Sequence, residues 1–166
     1  MGDKIIDRTV RKNLASFLVG MSILFFASRE IPRHTVFSPS DSVGYHLFYF
    51  KPVSVDQIQK GDFVIFPIHT DLIPHCNPCK VVKKVGCVEG EKLKTTQEGA
   101  YYCESDFLGM AKSKTGKGIP LKRFEYDGFV PGQSIFASSG HKDGYDSRYF
   151  GFVRKDQVVG KAIPLL

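Results

Sequence analysis

Val81-Val82-Lys83-Lys84-Val85-Gly86-Cys87-Val88 is the stretch on which the fold turns. Valine and cysteine suit a pleated, half-buried surface, and the run is shorter than an ordinary helix, so it reads as a strand. Neighbouring side chains of a strand point to opposite faces. If Lys84 faces water, Lys83 faces the interior. A lysine placed there costs free energy unless it has a purpose.

Outward from this strand the pattern stays β. Phe63 to Ile68, FVIFPI, reads as another strand, with Pro67 putting it at an edge or ending it. Lys92 to Thr96 and Ala100 to Cys103 read as a hairpin around Gln97 to Gly99. Phe129 to Ala137 reads as a turn and a short strand, and Tyr149 to Val153 with Val158 to Ile163 close the domain. On the other side, Val36 to Phe50 holds a serine-rich loop and the aromatic run His46-Leu47-Phe48-Tyr49-Phe50, which serves either as core or as a contact with the lipid interface. Polar loops are expected over 69–80, with Cys76 and Cys79, and over 110–118, which is basic. The 166 residues include 16 glycines, 9 prolines and 14 phenylalanines, a composition of strands and turns rather than of a helix bundle. The length suits one domain with a real core.

The N-terminus is different. No charge falls between Asn13 and Ser28, and LASFLVGMSILFFAS is apolar on nearly every face. Lys4, Arg8, Arg11 and Lys12 precede it, against Asp3 and Asp7; Arg29, Glu30 and Arg33 follow. Sixteen helical residues reach about 24 Å, against about 30 Å of hydrocarbon, a gap that snorkelling Lys12 and Arg29 can close. A cleaved signal peptide would need small residues around Ala27, where Phe25 and Phe26 stand. A buried core helix apolar on nearly every face is uncommon near the end of a small β-rich domain. The run is therefore read as an uncleaved transmembrane anchor. The expected organisation is a cytoplasmic tail over 1–12, an anchor over 13–28, a linker over 29–35 and an extracytoplasmic domain over 36–166. Cations before the span favour the N-terminus inside.

Several chemistries lack support. Thr115-Gly116-Lys117-Gly118 lacks the glycine spacing and the trailing hydroxyl of a phosphate loop. No G-x-S-x-G elbow is present, and His34, His46, His69, His75 and His141 show no partner pattern. Only Cys76 and Cys79 are spaced as zinc ligands, so neither a metal nor another cofactor is expected. The formal charge of +6 permits anionic partners, but Lys112, Lys114, Lys117, Lys122 and Arg123 accompany no nucleic-acid motif, and none is expected to bind.

Lys83 is the informative cation. Burial disfavours the ammonium and lowers its pKa from about 10.4; reaching about 7 takes roughly 4–5 kcal/mol. Such a lysine can act as general base toward a serine hydroxyl. Ser38, Ser40 and Ser42 are the candidates, each an ordinary loop serine when taken alone.

Three separated segments then match one family in order. Ser40-Asp41-Ser42-Val43-Gly44-Tyr45-His46-Leu47-Phe48, Gly61-Asp62-Phe63-Val64 with Lys83-Lys84-Val85-Gly86-Cys87-Val88-Glu89-Gly90-Glu91, and Asp146-Ser147-Arg148-Tyr149-Phe150-Gly151 resemble the boxes of the serine–lysine signal peptidases of type I. The resemblance runs to their conjugative-transfer, TraF-type branch, which matures pilin subunits. It implies coiled antiparallel β-sheets of signal-peptidase type behind one N-terminal transmembrane helix. It implies Ser42 as nucleophile, Lys83 as general base, the Ser40 hydroxyl and the Ser42 N–H as oxyanion donors, and Asp146 paired with Arg148 as structural support. The implied partners are a translocated precursor polypeptide and inner-membrane lipid, with the catalytic domain facing the periplasm. Departures are Gly44 for a proline, His46 for a glycine, Cys87 and Glu89 in the lysine box, and Gly144 where the family has a serine that orients the lysine. Orientation of Lys83 then has to come from elsewhere. In an oxidising compartment, Cys76–Cys79 and Cys87–Cys103 is the expected choice among three pairings. Two rivals stand beside this reading: a general peptidase for secretory leaders, and a non-catalytic anchored β scaffold.

Overall fold

The computed structural model describes residues 2–166, so Met1, the first residue of the expected tail, lies outside the described residues. The chain divides into two units, Met1–Thr35 and Val36–Leu166.

The first unit is a helix, α1 (Gly2–His34). Within it Val10–Glu30, 21 residues, is long and apolar enough to cross a membrane. At 1.5 Å per residue that is about 31 Å. Leu14, Phe17, Leu18, Ile23, Leu24, Phe25 and Phe26 are each more than half exposed, which is not how a core helix packs. The helix also runs through most of the segment read as a linker. Glu30 pairs with Arg33 at i+3 and with His34 at i+4, contacts that favour one more helical turn.

The second unit holds eleven strands among the described residues, counting β1, which begins at Thr35. A seven-stranded antiparallel sheet takes β1 (Thr35–Phe37), β2 (Leu47–Lys51), β3 (Phe63–Ile68), β4 (Cys79–Val88), β9 (Ser134–Ser138), β10 (Val153–Arg154) and β11 (Gly160–Pro164) in the order β1-β2-β11-β3-β4-β9-β10. A four-stranded sheet takes β5 (Lys92–Thr95), β6 (Ala100–Cys103), β7 (Asp106–Met110) and β8 (Asp127–Phe129) in the order β7-β6-β5-β8. The unit is mainly β and antiparallel, with the expected hairpin at β5–β6.

Strand β3 lies inside the sheet rather than at its edge, yet Pro67 breaks no ladder. Pairing with β11 covers only Val64 and Ile65, and beyond them β3 has β4 alone beside it. In the aromatic run, Phe48 is fully buried with Ile65, Val82 and Ala162, whereas Tyr49 on the other face is exposed. Part of the segment 149–153 is not extended. A short helix, α2 (Ser147–Phe150), forms because the Asp146 carboxylate accepts from the Arg148 N–H at 3.1 Å and caps it.

A bulge joins the two sheets. Val85 pairs with Ala137, but Cys87 pairs with Phe136, so Gly86 is an extra residue in β4. Without it, Cys87 would share the face of Lys83 and Val85. With it, Cys87 turns to the other face and forms a disulfide with Cys103 of β6. Around that bridge Leu93, Tyr101, Val130 and Phe136 are buried, with Tyr101 and Phe136 stacked at 5.5 Å. The second disulfide, Cys76–Cys79, closes the loop before β4 and takes both thiolates away from any metal. Both pairings are those expected from the sequence.

Candidate active site

Lys83 sits in the middle of β4, opposite Val64 on β3. Its neighbour Lys84 is exposed, and Lys83 is 5% exposed, as strand alternation requires. Val85 on the same face packs with Val64, Phe66 and Ala137. Burial lowers the Lys83 pKa below the ordinary lysine value; the Asp146 carboxylate opposes this shift and the Arg148 guanidinium adds to it. Among the described residues no hydrogen bond or ion pair to the Lys83 amine accompanies that burial. An amine so placed is available as a base.

The serines lie on a tight turn. Asp41–Val43 is one turn of 3-10 helix, and it packs against β4, the strand that carries Lys83. Val43 contributes to the cluster of Phe48, Ile65 and Val82, which fixes the turn to the sheet. Ser40 Oγ and Ser42 Oγ are 3.0 Å apart, within hydrogen-bond reach. Ser38 supports the loop instead: its hydroxyl donates to the Ser40 carbonyl at 3.2 Å and its N–H to the His46 carbonyl at 2.8 Å. Gly44 ends the turn at φ +76°, a conformation closed to proline, whose ring holds φ near about −65°. The glycine at this position therefore shapes the turn after Ser42.

Asp146 and Arg148 form a buried pair, 0% and 1% exposed. Arg148 Nε donates to Asp146 Oδ1 and Nη2 to Oδ2, both at 2.8 Å. Nη1 reaches the Met110 carbonyl of β7 at 2.6 Å, and Nη2 reaches the carbonyls of His141 and Gly144. One guanidinium thus ties α2, the 139–144 loop and the smaller sheet together.

Ser139 completes this network and was not singled out from the sequence. It is buried, its N–H and its hydroxyl both donate to Asp146 Oδ2 at 2.7 and 2.6 Å, and its Oγ accepts from Arg148 Nη2 at 3.2 Å. Its partners Asp146 and Arg148 are only 7 and 9 positions away, but no sequence motif marks a serine at that spacing. Among the histidines, His46, His69, His75 and His141 are exposed, and His46 Nδ1 bonds the Ser38 carbonyl at 3.0 Å.

Comparison with known proteins gives one family. The family model described as signal peptidase, peptidase S26, matches residues 9–166. No curated protein matches the chain. Among solved structures, the crystal structure of a signal peptidase I from Enterococcus faecalis V583 is similar at 22% identity and a TM-score of 0.42, covering 65% of this chain and 98% of that one.

Proposed function

The chain belongs to the S26 signal peptidase family, and from that premise we propose that it is a membrane-anchored serine endopeptidase working through Ser42 and Lys83. The observation that carries the reading is a buried lysine, free of hydrogen-bond partners among the described residues, on the strand against which the Ser42 turn packs.

In the proposed reaction the Ser42 hydroxyl attacks a carbonyl of a translocated precursor while the Lys83 amine accepts its proton. The Ser42 N–H and the Ser40 hydroxyl, 3.0 Å from Ser42 Oγ, stabilise the tetrahedral oxyanion, with each such donor worth about 3–4 kcal/mol in comparable sites. Lys83 then protonates the leaving amine, and water, deprotonated by the same lysine, releases the acyl group. Asp146 and Arg148 hold the structure behind the site without entering the chemistry. No step calls for a metal or cofactor.

The finer parts of the reading are the conjugative branch, a pilin precursor as substrate, and a periplasmic catalytic unit held at the inner membrane by the span within α1. Support comes from the order of the three boxes, from Asp146-Ser147-Arg148-Tyr149-Phe150-Gly151, and from the exposed apolar span.

The test is processing of a co-expressed pilin precursor and, separately, of a secretory precursor with an Ala-x-Ala site. Ser42→Ala and Lys83→Ala should each abolish cleavage by the purified full-length chain in detergent. Cleavage at the wild-type rate by either variant refutes the dyad, and absence of cleavage by the unaltered chain favours the scaffold rival. Cleavage of the secretory precursor alone favours the general peptidase.

A further inference from the structure

The turn that carries Ser42 belongs to a loop whose base is closed by Ser38 and His46. The Ser38 N–H donates to the His46 carbonyl at 2.8 Å. In a hydrogen-bonded antiparallel pair, the partner's backbone N–H would return the second bond. Here the His46 N–H is taken by the Leu166 carbonyl at 3.0 Å, and the imidazole returns the bond instead, with Nδ1 at 3.0 Å from the Ser38 carbonyl oxygen. A carbonyl only accepts, so Nδ1 carries the proton. From this closure a chain of bonds leads to the nucleophile. The Ser38 hydroxyl donates to the Ser40 carbonyl at 3.2 Å, and Ser40 Oγ lies 3.0 Å from Ser42 Oγ. Val43 anchors the middle of the loop in the cluster of Phe48, Ile65 and Val82. Gly44, at φ +76° with open space where a Cβ would stand, adds no restraint of its own.

We propose that His46 is a positioning residue for the nucleophile: its Nδ1–H bond to the Ser38 carbonyl closes the 38–46 loop and holds Ser40 and Ser42 in the geometry in which they act. The proposal rests on the reading of Ser42 as the nucleophile. His46 acts through Ser38 and the backbone, not on the reacting atoms. Attack by the Ser42 oxygen and donation by the Ser40 hydroxyl both depend on closely held distances. Without the imidazole bond the base of the loop keeps one backbone bond, and the glycine at 44 lets the turn visit more conformers, fewer of them productive. The imidazole also stacks with Phe37, centroids 6.4 Å apart at 30°. Packing and hydrogen bonding are therefore separable. Phenylalanine at position 46 keeps a ring beside Phe37 and loses the donor. Asparagine gives up the ring and keeps an N–H donor close to where Nδ1 stands.

The test uses the purified full-length chain in detergent and a precursor that the unaltered chain cleaves, with Ser42→Ala run alongside. Activity in Ser42→Ala refutes the nucleophile itself, a different result from any that bears on His46 alone. His46→Ala and His46→Phe should each lower kcat about fivefold to tenfold at unchanged KM, the scale of one lost hydrogen bond. His46→Asn should recover most of that loss. A second measurement does not depend on turnover. Nitrogen NMR of the histidine-labelled chain, with the His46 signal identified by its loss in His46→Asn, should show a neutral ring protonated on Nδ1, the tautomer that the Ser38 carbonyl selects. Wild-type kcat in His46→Phe overturns the proposal, because packing against Phe37 then suffices. So does a His46 ring protonated on Nε2 alone, and so does a loss of kcat that follows melting temperature across the three variants rather than the presence of a donor.

Discussion

At the scale of one residue, burial of Lys83 bears on both the proposed activity and the stability. Its pKa is lowered by burial from 10.5, so the neutral amine becomes the main form at a lower pH than for a free lysine. The proposed reaction needs that neutral form. kcat/KM is therefore expected to rise with pH through the lowered pKa, with the slope of one lost proton, and to level off before the ordinary lysine range; a limb centred near 10.5 contradicts a buried base. Between the lowered folded value and the unfolded one, the unfolded chain holds more protons, so stability rises with pH across that window. Lys83→Met removes the titration and the unpaired buried charge. It should abolish cleavage, flatten that pH dependence, and raise stability at neutral pH by about 1 kcal/mol or more, read as roughly 2–4 °C in Tm. A variant that melts lower than wild type at pH 7 argues that the lysine has a stabilising partner.

At the scale of the element, the bulge at Gly86 decides what β4 can do. The strand presents Lys83 and Val85 to one face and, one bulge later, Cys87 to the other, where Cys103 of β6 receives it. That bridge spans 16 positions in sequence, and closing a loop of this size in the unfolded chain is worth about 3 kcal/mol. Replacing Cys87 and Cys103 together by alanine should cost a comparable amount in urea unfolding, whereas the same change at Cys76 and Cys79, only 3 positions apart, should cost much less; equal losses would contradict the loop argument. The strand and its inward lysine were legible in the sequence, because alternation is local; the cysteine pairings match the choice expected among three, but neither alternation nor spacing decided them. The bulge was not legible. Gly86 looks like any strand glycine until the register with β9 is known, and that register joins residues about fifty positions apart. Ser139 and Gly144 were hidden for another reason: they meet in an irregular loop, where no period shows that the volume beside Gly144 is filled from Ser139. The capped turn α2 was missed because Asp146-Ser147-Arg148-Tyr149-Phe150 is too short to show a helical period.

At the scale of the whole molecule, the two units make separate demands on their surroundings. The β unit carries two disulfides and no free cysteine among the described residues, a state that persists in an oxidising compartment. The helical unit exposes Leu14, Phe17, Leu18, Ile23, Leu24, Phe25 and Phe26, a surface that water does not favour and hydrocarbon does. A span within Val10–Glu30 meets both demands if the N-terminal cations Lys4, Arg8, Arg11 and Lys12 stay in the cytoplasm and the chain after Glu30 crosses to the periplasm. The full-length chain should then stay in the membrane pellet after alkaline carbonate. Introducing Leu18→Asp and Leu24→Asp together should move it to the supernatant, since each charge near the centre of a span costs about 2.5–3.5 kcal/mol. A C-terminal tag should be digested when protease is added to intact spheroplasts, and a tag before Gly2 should survive until the cells are lysed. The reverse pattern would put the β unit in the cytoplasm, among reduced thiols, where neither a translocated precursor nor a stable Cys87–Cys103 bridge is expected.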